Sequence, residues 1–181
     1  MAEIKEAAEV LGGLAALAGS PQTSSKWRDV PVVIAALQEF NECVRYLNTR
    51  RSDGAILRLD AEAAVQDALY LILRPWIPDL VAETPTERLA SRFTIRDFVS
   101  KELRLIIEAK FVRDKQHGKA ITKELHDDIE VYRHDPLYDT IIFFIYDPDS
   151  SIPDERELRR TIEQSRVYDG RTFNCLVVVK P

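Results

Sequence analysis

Three residues on two neighbouring predicted strands, Asp97, Glu108 and Lys110, have side-chain types and a spacing that suggest chemistry. Two carboxylates that converge from adjacent strands can hold a divalent cation, and a hard ion such as Mg²⁺ prefers oxygen ligands of this kind. A lysine two residues beyond the second carboxylate can position a metal-bound water and offset the charge that develops on a phosphate. The pattern therefore indicates metal-dependent hydrolysis of a phosphodiester.

A β-hairpin is predicted to position these side chains, formed by the stretch RDFVSKELRLIIEAKF. Side chains alternate along a strand, so Glu108 and Lys110 share one face of the sheet. With a turn centred on Lys101–Glu102, Asp97 is the diagonal neighbour of Glu108 on that face, about 7–8 Å away between backbones. The alternative is a partly exposed Glu108–Lys110 ion pair at a sheet edge, which the spacing alone favours equally.

The rest of the chain supplies an α/β framework for the hairpin, with a mixed central β-sheet flanked by helices and with additional N-terminal helices. Helices are predicted over residues 2–18, 30–51, 60–76, 122–133 and 153–168. Asp60 is the expected N-cap of the third of these. Apolar runs predict buried strands over residues 139–149 and 172–181. Residues 1–55 are interpreted as an N-terminal helical extension, and residues 56–181 as the domain that carries the hairpin.

Composition and charge exclude several classes of protein. The net charge of −5 argues against a general nucleic-acid coat protein, although residues 91–124 contain nine Lys or Arg against five Asp or Glu. The two cysteines lack metal-ligand spacing, no secretory signal is recognisable, and no apolar stretch has the length of a membrane span. No nucleophile elbow and no Walker A loop occurs. We therefore expect a soluble, cytoplasmic protein with no membrane partner.

The D-(x)10-E-x-K pattern from Asp97 to Lys110 resembles the signature of the PD-(D/E)XK nuclease superfamily. A longer series resembles its DpnII/MboI-like restriction-endonuclease branch and covers most of the chain. That series reads AVQDALYLIL, RDF, IIEAKFVRD, KELHDDIEVYRHDP and TIIFFIYDPD in this order. Two features depart from the superfamily pattern. Arg96 stands where the superfamily name has a proline, and TPTERLASRFTI stands where a segment rich in Gly and Ser is expected.

This resemblance implies a restriction-endonuclease-like core that uses Mg²⁺ or Mn²⁺ to cut DNA. Asp97 and Glu108 are then the metal ligands, the carbonyl of Ala109 joins them, and Lys110 positions the attacking water. Glu62, on the helix before the sheet, matches an acidic position that often faces such sites. By the same analogy, the protein acts as an effector in prokaryotic defence against foreign DNA.

Candidate contacts to DNA follow the hairpin, since basic side chains in this region can meet phosphates. The candidates are Arg113, Lys115, Lys119, Lys123, Glu124 and Tyr132. Glu124, Asp128 and Tyr132 are spaced to share one face of a helix, which in the nuclease interpretation points toward the metal or the DNA. The alternatives are a solvated helix face and, for the basic residues around Gly118, a mobile loop.

Two other functions remain open from the sequence. The first is a catalytically silent nuclease fold that serves as a DNA-binding or assembly subunit, which would bind DNA without cutting it. The second is a cytosolic interaction domain whose Glu108–Lys110 pair is structural, which would not bind DNA at all. The apolar stripes of the N-terminal helices are compatible with a homodimer or with a partner protein.

Overall fold

The hairpin and the two later predicted strands belong to one sheet between two helical layers. A computed structural model describes residues 29–49, 56–85 and 95–181 of the chain. Its helices are α1 (Val30–Gln38), α2 (Phe40–Thr49), α3 (Glu62–Leu73), α4 (Lys115–Tyr132) and α5 (Glu155–Ile162). Its strands are β1 (Val81–Pro85), β2 (Ile95–Ser100), β3 (Leu105–Phe111), β4 (Thr140–Tyr146), β5 (Arg166–Tyr168) and β6 (Arg171–Lys180).

The six strands form a mixed sheet in the order β1-β2-β3-β4-β6-β5. The three central strands β3, β4 and β6 are parallel, and the outer pairs β1–β2, β2–β3 and β5–β6 are antiparallel. Parallel strands buried on both faces read as near-continuous apolar runs, which is how β4 and β6 appear in the sequence. The predicted α/β class with a mixed, helix-flanked sheet is confirmed.

Alternation along the central strands gives the sheet an apolar core on each face. On one face, Ile107 of β3 belongs to the same buried cluster as Leu37 of α1 and residues of α3. On the other face, Ile106 belongs to a cluster with Leu125 of α4 and Leu158 of α5. Strand β3 is therefore held between two helical layers, and the polar end of this strand has a rigid support.

Helix α1 and the start of α2 contribute to the first of these cores. Val33 and Leu37 are buried, and the Phe40 ring centroid lies 4.7 Å from that of Phe144 on β4. These contacts favour a core-completing role for the described part of the N-terminal helices. The helix expected over residues 2–18 lies outside the described residues. The domain boundary at residue 55 and a partner or dimer surface on these helices stay predictions.

Helix α4 begins seven residues earlier than its sequence pattern predicts. Asp114 caps it by accepting hydrogen bonds from the amides of Gln116 and His117, each 2.8 Å long. The alternative of a mobile loop around Gly118 is wrong, because Gly118 is buried inside the helix. It lies against the backbone of Ser151, and a Cβ added to Gly118 would be 2.6 Å from the Ser151 carbonyl carbon.

We therefore expect Gly118→Ala to lower the free energy of unfolding by about 1–3 kcal/mol through overpacking. At an ordinary helix position the same change would raise it by about 1 kcal/mol. Urea-induced unfolding measures the difference. Ala120→Gly, at an exposed position of the same helix, reports the propensity effect alone. A stabilised Gly118→Ala protein would contradict the close contact.

Other bounds differ from the predicted ones for local reasons. The helix predicted over residues 30–51 is divided at Glu39. Asp60 does not cap α3, whose N-cap is Ala61 without a side-chain hydrogen bond. Strand β1 was missed because its described side chains are mostly exposed and show no apolar alternation.

Strand β5 replaces the last turns of the helix predicted over residues 153–168. The turn from β5 to β6 has positive φ at both Asp169 (51°) and Gly170 (75°). Positive φ at both central residues is typical of a tight hairpin turn, for which Asp-Gly is a favoured pair. The turn signal was present in the sequence, but the helical periodicity before it dominated the interpretation.

Among the described residues, no helix is both long enough and apolar enough to cross a membrane.

Candidate active site

Asp97 and Glu108 face each other across the antiparallel pair β2–β3. Phe98 pairs with Ile107, so the next step of the ladder puts Asp97 directly opposite Glu108 rather than diagonal to it. The expected register was wrong by two residues, because the turn is centred after Glu102 and not before it. A shift of two residues keeps every side chain on its predicted face, so the two carboxylates still converge.

The position of this turn is fixed by Asp79. Its carboxylate accepts hydrogen bonds from the Ser100 hydroxyl at 2.7 Å and from the Glu102 amide at 2.9 Å. The Ser100 hydroxyl oxygen in turn accepts one from the Leu103 amide at 3.1 Å. Because Asp79 precedes the hairpin by some twenty residues, this constraint cannot be read from the hairpin sequence itself.

Asp97 is half-buried in the first half of β2 and is held by the neighbouring strand. Its Oδ2 accepts a hydrogen bond of 2.7 Å from the amide of Ala109. Burial raises the pKa of Asp97 to about 6, although hydrogen bonds from the Ala109 amide and the Gln66 side chain and the charge of Lys110 act in the opposite direction. The structure thus orients the Asp97 carboxylate, and a metal-binding role for the Ala109 carbonyl stays a prediction.

Glu108 is more deeply buried, with 5% of its surface exposed. Burial, and after it the negative charge of Asp97, raises the pKa of Glu108 to about 8. Its Oε2 atom is buried and has no hydrogen-bond partner in the described part of the chain. A buried carboxyl group beside a second carboxylate is relieved either by taking up a proton, as its raised pKa indicates, or by a cation that joins the two carboxylates. This donor set fits a hard divalent cation.

The two carboxylates alone do not complete a coordination shell. In the described ranges, no group of three or more His, Cys, Asp or Glu side chains is arranged to hold a metal ion. A cation between Asp97 and Glu108 would therefore take its other ligands from the main chain, water or a substrate. Mg²⁺ commonly binds in this way, since it keeps several of its waters and uses one or two carboxylates.

Lys110 lies beside this pair and is held by helix α4. Its Nζ is 2.9 Å from Asp128 Oδ2 and 3.6 Å from Glu108 Oε1. Burial alone would lower the pKa of Lys110, but the charges of Asp128 and Glu108 raise it above its usual value, so the amine is charged. The alternative of a partly exposed Glu108–Lys110 ion pair at a sheet edge is wrong, because the two side chains are only 6% and 13% exposed and β3 is an internal strand.

Glu62 reaches the same end of the sheet from the first turn of α3. Its Oε2 accepts a 3.3 Å hydrogen bond from the amide of Phe111, the residue after Lys110. Its charge acts on both Asp97 and Lys110. The structure thus brings together the four side chains that the sequence predicted as catalytic.

Helix α4 covers the site on the face of the sheet opposite to α3. Tyr132 is fully buried and therefore not available as a contact to DNA, which corrects that candidate. Its hydroxyl lies beside Glu108, and burial together with the charge of Glu108 raises the pKa of Tyr132, so the phenol stays protonated. The sequence placed Asp128 on the same helix face, but its ion pair with Lys110 becomes visible only in the folded structure.

A cleft of about 460 Å³ contains Glu62 and is also lined by Arg113, His117 and Glu124. His117 Nδ1 accepts hydrogen bonds from the Arg113 amide at 3.3 Å and from its Nε at 3.5 Å. The other ring nitrogen, Nε2, lies 3.3 Å from Glu124 Oε1. The sequence marked no role for His117, yet this residue holds Arg113 at the edge of the cleft.

The three lysine candidates for DNA contact, Lys115, Lys119 and Lys123, are exposed on α4. Lys119 is five positions from Glu124, which places the two about 140° apart around the helix. It lines a different cleft, between α4 and α5, together with Asp154. Of the basic candidates, the structure therefore brings Arg113 to the cleft that contains Glu62, and it places Lys119 elsewhere.

Arg96, the residue before Asp97, anchors this end of β2. Its guanidinium is buried and pairs with Asp135 Oδ2 at 2.6 Å. It also lies over the Tyr138 ring, 5.0 Å from the centroid, and 5.7 Å from that of Tyr132. Arg96 thus connects the strand that carries Asp97 to the tyrosine beside Glu108.

Comparison with known proteins identifies one matching family. The family model for DpnII-MboI restriction endonucleases, described as REase_DpnII-MboI, matches residues 32–181. The match runs from α1 through β6 and includes every side chain of the site described above. No curated protein and no solved structure gives a significant match.

Proposed function

Because the chain belongs to the DpnII-MboI family of restriction endonucleases, we propose that it is a Mg²⁺- or Mn²⁺-dependent DNA endonuclease of the PD-(D/E)XK type. The family itself implies a nuclease that binds DNA and acts in defence. The proposal adds the metal dependence, the residues and the role of an effector against foreign DNA in a prokaryote. The observation that supports it most is the pair of opposed carboxylates, half-buried Asp97 and buried Glu108, with the charged Lys110 beside it.

Asp97 and Glu108 hold the cation in this proposal, with the Ala109 carbonyl as a third protein ligand. A divalent cation at such a position supplies a water of lowered pKa and neutralises charge on the phosphate. Lys110 orients the attacking water and stabilises the additional negative charge of the transition state. Asp128 keeps the Lys110 amine charged and in place through their 2.9 Å contact.

Glu62 and Arg113 act around this centre. The Glu62 carboxylate, held by the Phe111 amide, offers a further oxygen toward the cation or its water shell. Arg113 binds a phosphate of the DNA strand from the cleft edge, where His117 limits its freedom. The lysines of α4 add a screened attraction for DNA that weakens with salt.

The test is incubation of plasmid and linear DNA with the purified chain in Mg²⁺, Mn²⁺ or EDTA. We expect cutting with either metal, none in EDTA and none by Asp97→Asn. Asp149→Asn, which changes an exposed aspartate after β4, is expected to cut like the wild type. Metal-independent DNA binding without cutting would favour the catalytically silent subunit, and the absence of DNA binding would favour the interaction domain.

The metal site also predicts a pH-dependent stabilisation. Burial raises the pKa values of Asp97 and Glu108 to about 6 and about 8, well above those of ordinary carboxyl groups. The unfolded chain thus binds fewer protons than the folded one in this window, so the metal-free protein loses stability as the pH rises from about 4 to 8. A cation displaces these protons and binds more tightly at the upper end of the window.

We therefore expect Mg²⁺ to raise the melting temperature more at about pH 8 than at about pH 6. Thermal unfolding with and without millimolar metal measures this shift. Glu108→Gln, which keeps the shape of the side chain and removes its charge, is expected to lose most of it. An equal shift at both pH values in the wild type would mean that the cation binds elsewhere.

A further inference from the structure

A cavity of about 630 Å³ lies between α3, β1 and β2 and includes Asp97 in its wall. The cavity therefore adjoins the carboxylates described above, but other residues form most of its lining. Its volume is within the range of sites that bind small molecules, about 300–1,000 Å³. No role in the proposed hydrolysis uses this space.

One wall of the cavity presents an aromatic surface. Tyr70 is 38% exposed, and its ring is nearly parallel to that of buried Phe98, with centroids 6.4 Å apart and an interplanar angle of 27°. Leu71 and Val81, which also line the cavity, are 63% and 53% exposed. An exposed ring flanked by aliphatic side chains is a surface on which a flat heterocycle stacks.

The polar groups of the lining are acidic or neutral. Asp67 and Glu83 face the cavity together with Asp97, and Gln66 adds an amide. None of the described lining residues is basic, so a phosphate is repelled there. Carboxylates instead accept hydrogen bonds from exocyclic amino groups of bases, and a glutamine amide pairs with adenine.

We propose that this cavity binds one base of the DNA, displaced from its stack and carrying an exocyclic amino group. The inference rests on the proposed nuclease function. Because Asp97 belongs to both sites, the bound base is part of a nucleotide next to the phosphate that is cut. The cavity thereby selects the position of cleavage, with adenine, cytosine and guanine accepted and thymine, which has no amino group, disfavoured.

Fluorescence anisotropy with labelled single-stranded oligo(dA), oligo(dC) and oligo(dT) tests this proposal. Single strands are used because their bases need not be unpaired, and EDTA prevents cutting. We expect oligo(dA) and oligo(dC) to bind about tenfold more tightly than oligo(dT). Tyr70→Ala should weaken the first two by about tenfold, the size of a lost base–aromatic stack, and remove the difference. Tyr70→Phe should retain it.

Tyr46→Ala is the matched control, since Tyr46 is also an exposed helical tyrosine but does not line the cavity. Its binding should equal that of the wild type. Equal affinities for the three oligonucleotides, or unchanged binding by folded Tyr70→Ala, would overturn the proposal. Metal-dependent cutting with no base preference would overturn it and leave the proposed function intact. A preserved base preference without any cutting would support base binding in the cavity and overturn the proposed nuclease function.

Discussion

Lys110→Ala is expected to lower the rate of DNA cleavage at saturating DNA by at least about 100-fold, because it removes a positive charge aimed at the transition state. The amine is charged and held by Asp128 at 2.9 Å, and the Lys110 side chain is only 13% exposed. Single-turnover cleavage under excess enzyme measures the chemical step directly. The affinity for DNA should change far less than the rate, since the lost interaction strengthens only in the transition state.

The matched control is Lys101→Ala, an exposed lysine in the β2–β3 turn at the opposite end of the hairpin. This variant should cleave at the wild-type rate. Melting temperatures of both variants separate a loss of chemistry from a loss of fold. A Lys110→Ala protein that is folded and cuts within a few-fold of the wild-type rate would contradict the assigned role of Lys110.

Arg96→Ala is expected to have the largest effect on stability, with a loss of about 3–5 kcal/mol in the free energy of unfolding. The loss is large because Asp135, the ion-pair partner of Arg96, remains in place. Asp135, whose side chain is 16% exposed, keeps a charge that has lost its counterion, and the contacts to the Tyr138 and Tyr132 rings disappear as well. Urea-induced unfolding gives the value, and near-ultraviolet circular dichroism reports the tyrosine packing.

The ion pair of Arg104 and Asp139 serves as a control for this variant. Its atoms are 2.5 Å apart, and its side chains are 44% and 33% exposed. Arg104→Ala should cost no more than about 1 kcal/mol, as is usual for surface ion pairs. The double variant Arg96→Met with Asp135→Leu should recover much of the stability lost in Arg96→Ala, because no unpaired charge remains. Equal losses for the two arginine variants would show that burial does not decide the effect.

Most of the site could be predicted from the sequence because its residues lie on one hairpin. Alternation along β3 places Glu108 and Lys110 on one face whatever the rest of the fold. The register depends on Asp79, which reaches the turn from a distant part of the chain, so local rules could not supply it. The two-residue error in the register left each side chain on its predicted face, because side chains alternate with a period of two along a strand.

The contacts that hold Lys110 and Arg113 in place could not be predicted from the sequence in the same way. The partners of Lys110 and Arg113 are Asp128 and His117, and both lie on α4. Which face of α4 packs on the sheet is decided by tertiary contacts such as that of Gly118 with Ser151. Helical spacing identified a shared face for Asp128, but the sequence alone did not distinguish a solvated face from one that covers the carboxylates.

The position of β6 between β4 and β5 has a consequence for the order in which the protein can assemble. Every residue of the site precedes β6 along the chain, yet β4, which supports β3, pairs with β6 on its other side. A nascent chain that has exposed the site residues but not β6 therefore has an unpaired, apolar edge in the middle of its future sheet. Pairing at this edge is non-local and slow. A ribosome-bound fragment without β6 thus lacks a strand that supports β4 and, through it, β3, and we expect the proposed active site to become stable only after β6 has been synthesised.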